Sequence, residues 1–258
     1  MVTVRVPATT ANLGPGFDTL GLALALYNTL TFEELAEGLY FEGVDPEYAT
    51  AENLAVVAYK AVLSKLGLPM PGLRISVQAE IPICRGLGSS AALIAAGAAG
   101  ANANHGSPLT RAELLAVCND IEGHPDNLAP AIFGGLVASF VENERPYIAR
   151  YSLHKRLRCT ALIPDFQLST HLARGVLPKE VPYGDAIFNV SRTAVLLRAL
   201  EEGDTETISV SLRDKLHQPF RRTLIPGFDE AEALANSCGC VAFFISGAGP
   251  TLLCLSAD

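Results

Sequence analysis

The chain has no run of basic residues, no Gly-Lys pair, no low-complexity linker and no apolar stretch of bilayer-spanning length. Each absence excludes something. With 19 basic against 27 acidic residues the net charge is −8, and an acidic chain without a basic cluster suits neither duplex nucleic acid nor an anionic membrane surface. A phosphate ligand stays open, because it needs only a local group of donors. The apolar stretch Ala91–Gly100 is mostly Ala and Gly and is too short to cross a bilayer. The opening MVTVRVPATT lacks the basic and apolar regions of a signal peptide. Of six cysteines only Cys238 and Cys240 are close, with no second pair at zinc spacing, so all six read as reduced thiols of a cytoplasmic protein. What remains is a 258-residue chain, 49% hydrophobic, able to bury a sizeable core in one large domain or two small ones.

Alternation predicts strands over Val2–Val6 and Leu73–Ala79, and apolar runs over Leu20–Leu26 and around Leu30–Glu34 suggest two more. Thr50 is placed to cap a helix over Glu52–Leu66, with Leu54, Val57, Ala58, Ala61 and Leu66 on one face and Gly67 ending it. Thr110 and Glu113 make a capping box for a helix over Arg111–Ile121. The pattern restarts near residue 157: a strand over Cys159–Ile163, helices over Ala186–Glu201, within Ile208–Leu216 and over Asp229–Asn236, then two strands flanking Ser246-Gly-Ala-Gly-Pro250. Strands and helices mix without strict alternation, which favours an α+β fold. The boundary falls between 1–155 and 156–258.

The strongest local signal is Gly86-Leu-Gly-Ser-Ser-Ala91, between a strand and a helix of small residues. Glycines let a backbone turn with several N–H groups pointing inward, a nest for anions, and the helix start adds unpaired donors and a positive dipole end. Ser89 and Ser90 are placed either to cap that helix or to offer a hydroxyl to phosphate or Mg²⁺. The missing Gly-Lys pair removes the Walker A reading. The dinucleotide fingerprint matches Gly86, Gly88 and Ala91, but the first acidic residue downstream is Glu113, at a helix start rather than a strand end.

Pro82-x-x-x-Gly86-Leu-Gly-Ser-Ser-Ala91 resembles the phosphate loop of the GHMP kinases. Five further segments resemble the homoserine kinases among them: Pro7-Ala-Thr-Thr-Ala-Asn-Leu-Gly-Pro-Gly-Phe-Asp18, Glu122-Gly-His-Pro-Asp-Asn-Leu-Ala-Pro-Ala-Ile-Phe-Gly-Gly135, Thr170-x-x-x-Arg174 with Leu177-Pro178, His217-Gln-Pro-Phe-Arg221, and Ser246-Gly-Ala-Gly-Pro-Thr251. They follow the family's order and span residues 2–255. The resemblance implies an N-terminal domain like domain 2 of ribosomal protein S5 and a ferredoxin-like C-terminal domain. It implies MgATP-dependent phosphorylation of L-homoserine; the alternatives are a kinase of another small alcohol and a non-catalytic nucleotide-binding relative. Such kinases commonly continue past the Ser-Gly-Ala-Gly-Pro motif, whereas this chain stops at Asp258. The expectation is a shortened C-terminal domain with an apolar sheet face or edge, which a smaller domain, a homodimer partner or truncation would each account for.

By the same resemblance the triphosphate lies on Pro82, Ile83, Cys84, Arg85, Gly86, Leu87, Gly88, Ser89, Ser90, Ala91 and Ala92, with the base near Asn53. Glu122 and Ser90 hold Mg²⁺, which suits one or two protein oxygens completed by phosphates and waters. Asn12, Asp18, His124, Asp126 and Asn127 surround the amino acid, Asp18 facing its ammonium group; Arg174 and Arg221 grip its carboxylate, as a planar guanidinium can. In related kinases an aspartate serves as general base where this chain has Asn127. An amide cannot take a proton at neutral pH, so Asn127 orients the alcohol, and catalysis rests on alignment and electrostatics. Asp126 and Thr170 are secondary candidates for handling the proton.

Overall fold

The computed structural model describes all residues 1–258. Strand β1 (Val2–Ala11) pairs antiparallel along nearly the whole of β2 (Leu20–Leu35), with a register shift between Pro7 and Ala8. The second edge of β2 is shared: Leu20–Leu22 pairs with β5 (Leu136–Glu142), and Asn28–Leu35 with β4 (Gly72–Ala79). β3 (Leu39–Glu42) adds to β4 in parallel and β6 (Arg145–Tyr151) to β5, giving a six-stranded sheet. Where the pattern predicts two strands within 20–34, there is one. The polar Tyr27-Asn28-Thr29 break is not a turn, because Asn28 keeps its pairing with both β1 and β4. Its buried Oδ1 accepts from Glu80 N and Ile81 N, at 2.9 Å each.

One face of this sheet carries α1 (Leu54–Lys65), α2 (Ser89–Asn104), α3 (Arg111–Glu122) and the short α4 (Leu128–Phe133). α1 is capped by Asn53, whose Oδ1 accepts from Ala55 N at 3.0 Å, rather than by Thr50. Its buried residues are Ala55, Val56, Ala58, Tyr59, Val62 and Leu63, a broader and rotated face, because α1 packs against α2 as well as the sheet-side core. The small residues of α2 allow that approach: a Cβ on Gly97 would lie 2.1 Å from Ala55 O, and one on Gly100 2.5 Å from the ring of buried Phe32. The Thr110–Glu113 capping box is present, and Gly123 ends α3 in the left-handed region at φ 87°.

After β6 the chain enters a second, three-stranded antiparallel sheet, ordered β7-β9-β8: β7 (Leu157–Leu162), β8 (Ala242–Ile245) and β9 (Leu252–Ala257). Helices α5 (Thr170–Gly175), α6 (Tyr183–Glu202), α7 (Thr205–Ser211), α8 (Gln218–Arg221) and α9 (Phe228–Ser237) lie between β7 and β8. Leu13, Leu20, Leu22 and Leu136 of the first part share one core cluster with Leu157, Leu196, Leu200, Phe244 and Leu253 of the second. The α+β expectation holds. The cysteine expectation needs correction: Cys240 and Cys254 are joined as a disulfide, their Cα atoms 5.9 Å apart, while Cys84, Cys118, Cys159 and Cys238 are free. The pair lies 14 positions apart in sequence, and the antiparallel pairing of β8 with β9 brings Cys240, just before β8, against Cys254 in β9. No helix is long and apolar enough to cross a membrane.

Candidate active site

The loop between β4 and α2 alternates into the left-handed region at Cys84 (φ 53°), Gly86 (φ 76°) and Gly88 (φ 68°). Such alternation turns successive N–H groups to one side. Gly88 begins α2 with no side-chain cap, so neither Ser89 nor Ser90 plays that part and the first-turn N–H groups keep their unfilled valence and positive dipole end. Ser90 Oγ instead donates to Glu122 Oε1 at 2.7 Å. Glu122 is the last residue of α3. A carboxylate there opposes the helix dipole, at a cost of roughly 0.3–1 kcal/mol, so its placement is not explained by the helix itself.

The loop is braced from the far end of the chain. Cys84 O accepts from Leu168 N (3.2 Å), Arg85 O from Thr251 N (3.2 Å) and Gly86 O from Ser246 Oγ (2.6 Å). A Cβ on Gly86 would meet Ser246 O at 2.4 Å and Gly249 O at 2.7 Å, so that contact requires glycine. The Arg85 side chain is spent on Pro164 O and Asp165 O, both at 2.9 Å, and does not reach the cleft. Leu87, Ala91 and Ala92 are buried, and Ile83 is 42% exposed. Of the eleven loop residues from Pro82 to Ala92, only Cys84, Gly86, Gly88, Ser89 and Ser90 line the cleft. Asn53 does not: it is the α1 cap, and its Nδ2 donates to Tyr48 O.

Beyond the loop residues, the cleft is walled by Asn12, Asp18, His124, Asp126, Asn127, Thr170, Arg174 and Arg221, all of them singled out from sequence. Arg174, near the end of α5, makes a two-pronged ion pair with Asp18 (2.9 and 3.1 Å), each side chain a little over one-third exposed. Arg221 is 2% exposed and donates to Ala173 O and Gly247 O. Both guanidiniums lie over Phe17, at 5.8 and 5.2 Å from its ring centre, a contact the sequence reading missed although Phe17 stands inside a quoted motif. Burial, and then the neighbouring Arg174 charge, push the Arg221 pKa down to about 10, which leaves it protonated at neutral pH. Asn12 holds φ 72°; its Oδ1 accepts from Asp18 N and its Nδ2 donates to Gly247 O, so it is chiefly a clamp on the turn bearing Asp18.

His124 Nδ1 pairs with nearly buried Asp126 at 3.0 Å, and that bond raises the imidazole pKa above its ordinary value. Asp126 also accepts from Asn127 N, and Asn127 Oδ1 accepts from Thr9 Oγ1 at 2.8 Å. His217 is fully buried, stacked on Phe17 and bonded to Gly14 O at 2.8 Å; burial lowers its pKa. A larger cavity of about 610 Å³, lined by Phe188, Asp214, Lys215, Arg222, Phe228 and Phe243 among others, has neither the glycine loop nor the Ser90–Glu122 pair on its walls.

Residues 53–135 match the family GHMP kinases N terminal domain, and residues 196–258 match GHMP kinases C terminal. A homoserine kinase of Clostridium botulinum is 46% identical over 253 residues, covering 98% of this chain and 85% of that protein. One of Moorella thermoacetica is 48% identical over 256 residues, covering 98% and 86%. The crystal structure of a homoserine kinase from Cytophaga hutchinsonii superimposes with a TM-score of 0.88 at 29% identity, over 99% of this chain and 85% of that one. On this likeness along nearly its whole length, the chain belongs to the homoserine kinase family of the GHMP kinases.

Proposed function

We propose that the protein transfers the γ-phosphoryl group of ATP to the side-chain hydroxyl of L-homoserine, a cytoplasmic step of threonine biosynthesis. The observation that carries this reading is a single cleft with a phosphate nest on one wall and a complement to an amino-acid zwitterion on the other. Asp18 and Arg174 satisfy each other in the structure. An α-amino acid brings one ammonium and one carboxylate, and can replace each partner for the other without leaving a charge unpaired. A neutral or purely anionic small alcohol leaves Asp18 stranded, which favours homoserine over mevalonate or shikimate. The half-chains 1–155 and 156–258 then act as nucleotide-binding and closing parts of one site.

Ser90 and Glu122 fit a magnesium site of the usual sparse kind, two adjacent protein oxygens beside the phosphate nest. Mg²⁺ bound there would offset the negative charge of the phosphates. The chain itself supplies alignment. Loop N–H groups and the α2 terminus hold the phosphates, Asp18, Arg174 and Arg221 hold the zwitterion, and Asn127 lies between. A loose transition state needs little help in removing the hydroxyl proton, which a phosphoryl oxygen can accept.

ADP release measured with homoserine, mevalonate and shikimate in turn should show Mg²⁺-dependent turnover with homoserine alone. A folded, ATP-binding protein that turns over none of them would overturn the reading.

A further inference from the structure

Thr9 lies within β1, fully buried, behind the cleft-lining residue Asn127. Its Oγ1 donates to Asn127 Oδ1 at 2.8 Å. A Cβ placed on Gly88 would fall 2.0 Å from that Oγ1 and 3.1 Å from Asn127 Oδ1, so hydroxyl, amide and phosphate loop are in mutual contact. The backbone fixes the arrangement further: Thr9 N donates to Leu87 O at 3.1 Å. Burial in this strand does not by itself guarantee such a bond, since the hydroxyl of neighbouring Thr10 is sealed without a partner.

A primary amide has an accepting end and a donating end. With Oδ1 held by Thr9, Asn127 Nδ2 makes no bond within the protein, is not sealed from solvent, and belongs to a side chain that lines the cleft. We propose that Thr9 is a positioning residue that holds the Asn127 side chain against the phosphate loop and, by donating to its oxygen, leaves the N–H₂ end to face the reacting groups. This rests on the kinase reading above.

The consequence is chemical. An N–H bonded to one lone pair of the acceptor alcohol holds that oxygen while its other lone pair forms the new O–P bond. The bond from phosphorus to the β,γ-bridging oxygen breaks with its electron pair going to ADP, and the hydroxyl proton passes to a γ-phosphoryl oxygen. An amide turned the other way would present Oδ1 to the hydroxyl proton and draw it from the phosphate that must receive it.

The test is Thr9→Val, which keeps the shape and removes the donor, beside Thr9→Ser, which keeps the donor. Thr9→Val should lower kcat by about tenfold to a hundredfold, the scale of a small misalignment of reacting groups, with KM for ATP and homoserine nearly unmoved. Thr9→Ser should recover most of that loss. A Thr9→Val enzyme with unchanged kcat, or a Thr9→Ser enzyme equally impaired, would overturn the proposal. Should Thr9→Val not fold, the wild type still decides. The side-chain amide ¹⁵N–¹H signal of Asn127, assigned by its loss in Asn127→Asp, should shift on adding Mg²⁺ with a non-hydrolysable ATP analogue. An unmoved signal with analogue bound would overturn the orientation. Wild-type protein that ignores homoserine would count against the proposed function instead, while the amide signal still reports on which end of the Asn127 amide faces the cleft.

Discussion

At the residue scale the chemistry is a set of charges that already have partners. Replacing Arg174 by Lys keeps the charge and loses the fork that grips Asp18 through two nitrogens. The expected result is a homoserine KM raised by about tenfold, equivalent to one charge-assisted hydrogen bond, with the ATP KM little changed in steady-state kinetics. Glu122→Ala should remove most Mg²⁺-dependent turnover while the melting temperature stays near wild type, because Glu122 is only part-buried and its one side-chain bond is to Ser90. An unchanged rate would place the metal elsewhere. Residues of this kind were legible in sequence because Gly, Asn, Asp, His and Arg crowd into short motifs. Thr9 was not. A buried threonine in a strand reads as β-branched propensity, and nothing in its letters says that its hydroxyl reaches a residue 118 positions away.

At the element scale, punctuation was readable and depth was not. Gly67, the Thr110–Glu113 box and the loop glycines fall where the chain turns or caps. By contrast, the face of α1 was misread because a helix buried on two sides has no narrow stripe, and β5 and β6 went unnoticed because their exposed residues dilute the alternation. Asn53 caps α1 through its Oδ1, a part that the letter alone does not separate from a ligand contact. The crossing of α1 and α2 gives a sharp test. Gly97→Val would drive a side chain against the Ala55 carbonyl, backbone that no rotamer change can move. Overpacking of this kind costs roughly 1–3 kcal/mol, and the melting temperature should fall accordingly. Gly67→Ala, where nothing lies within 4 Å, should cost only the strain of its left-handed backbone.

For the whole molecule, two histidines pull the pH dependence in opposite directions. His124, raised by Asp126, binds its proton more tightly folded than unfolded, so its contribution is complete below the ordinary histidine value and fades as pH rises through the folded one. His217, lowered by burial, must stay neutral in the fold, so stability is lost as pH falls below that ordinary value. Together they favour a maximum near pH ~6.5. Melting curves from pH 5 to 9 should show it, and His124→Gln should flatten the alkaline side alone.

The carbonyls of Cys84, Arg85 and Gly86 each accept from residues 168–251, and Asn12 clasps Gly247. The pocket for the nucleotide's tail is therefore a joint property of sequence-distant ends, and neither end owns it. Split the chain in the stretch between β6 and β7, and neither fragment alone should retain ATP. Mixed together, the two fragments should be drawn into one particle by the nucleotide, which acts as a non-covalent rivet whose pull grows with its concentration.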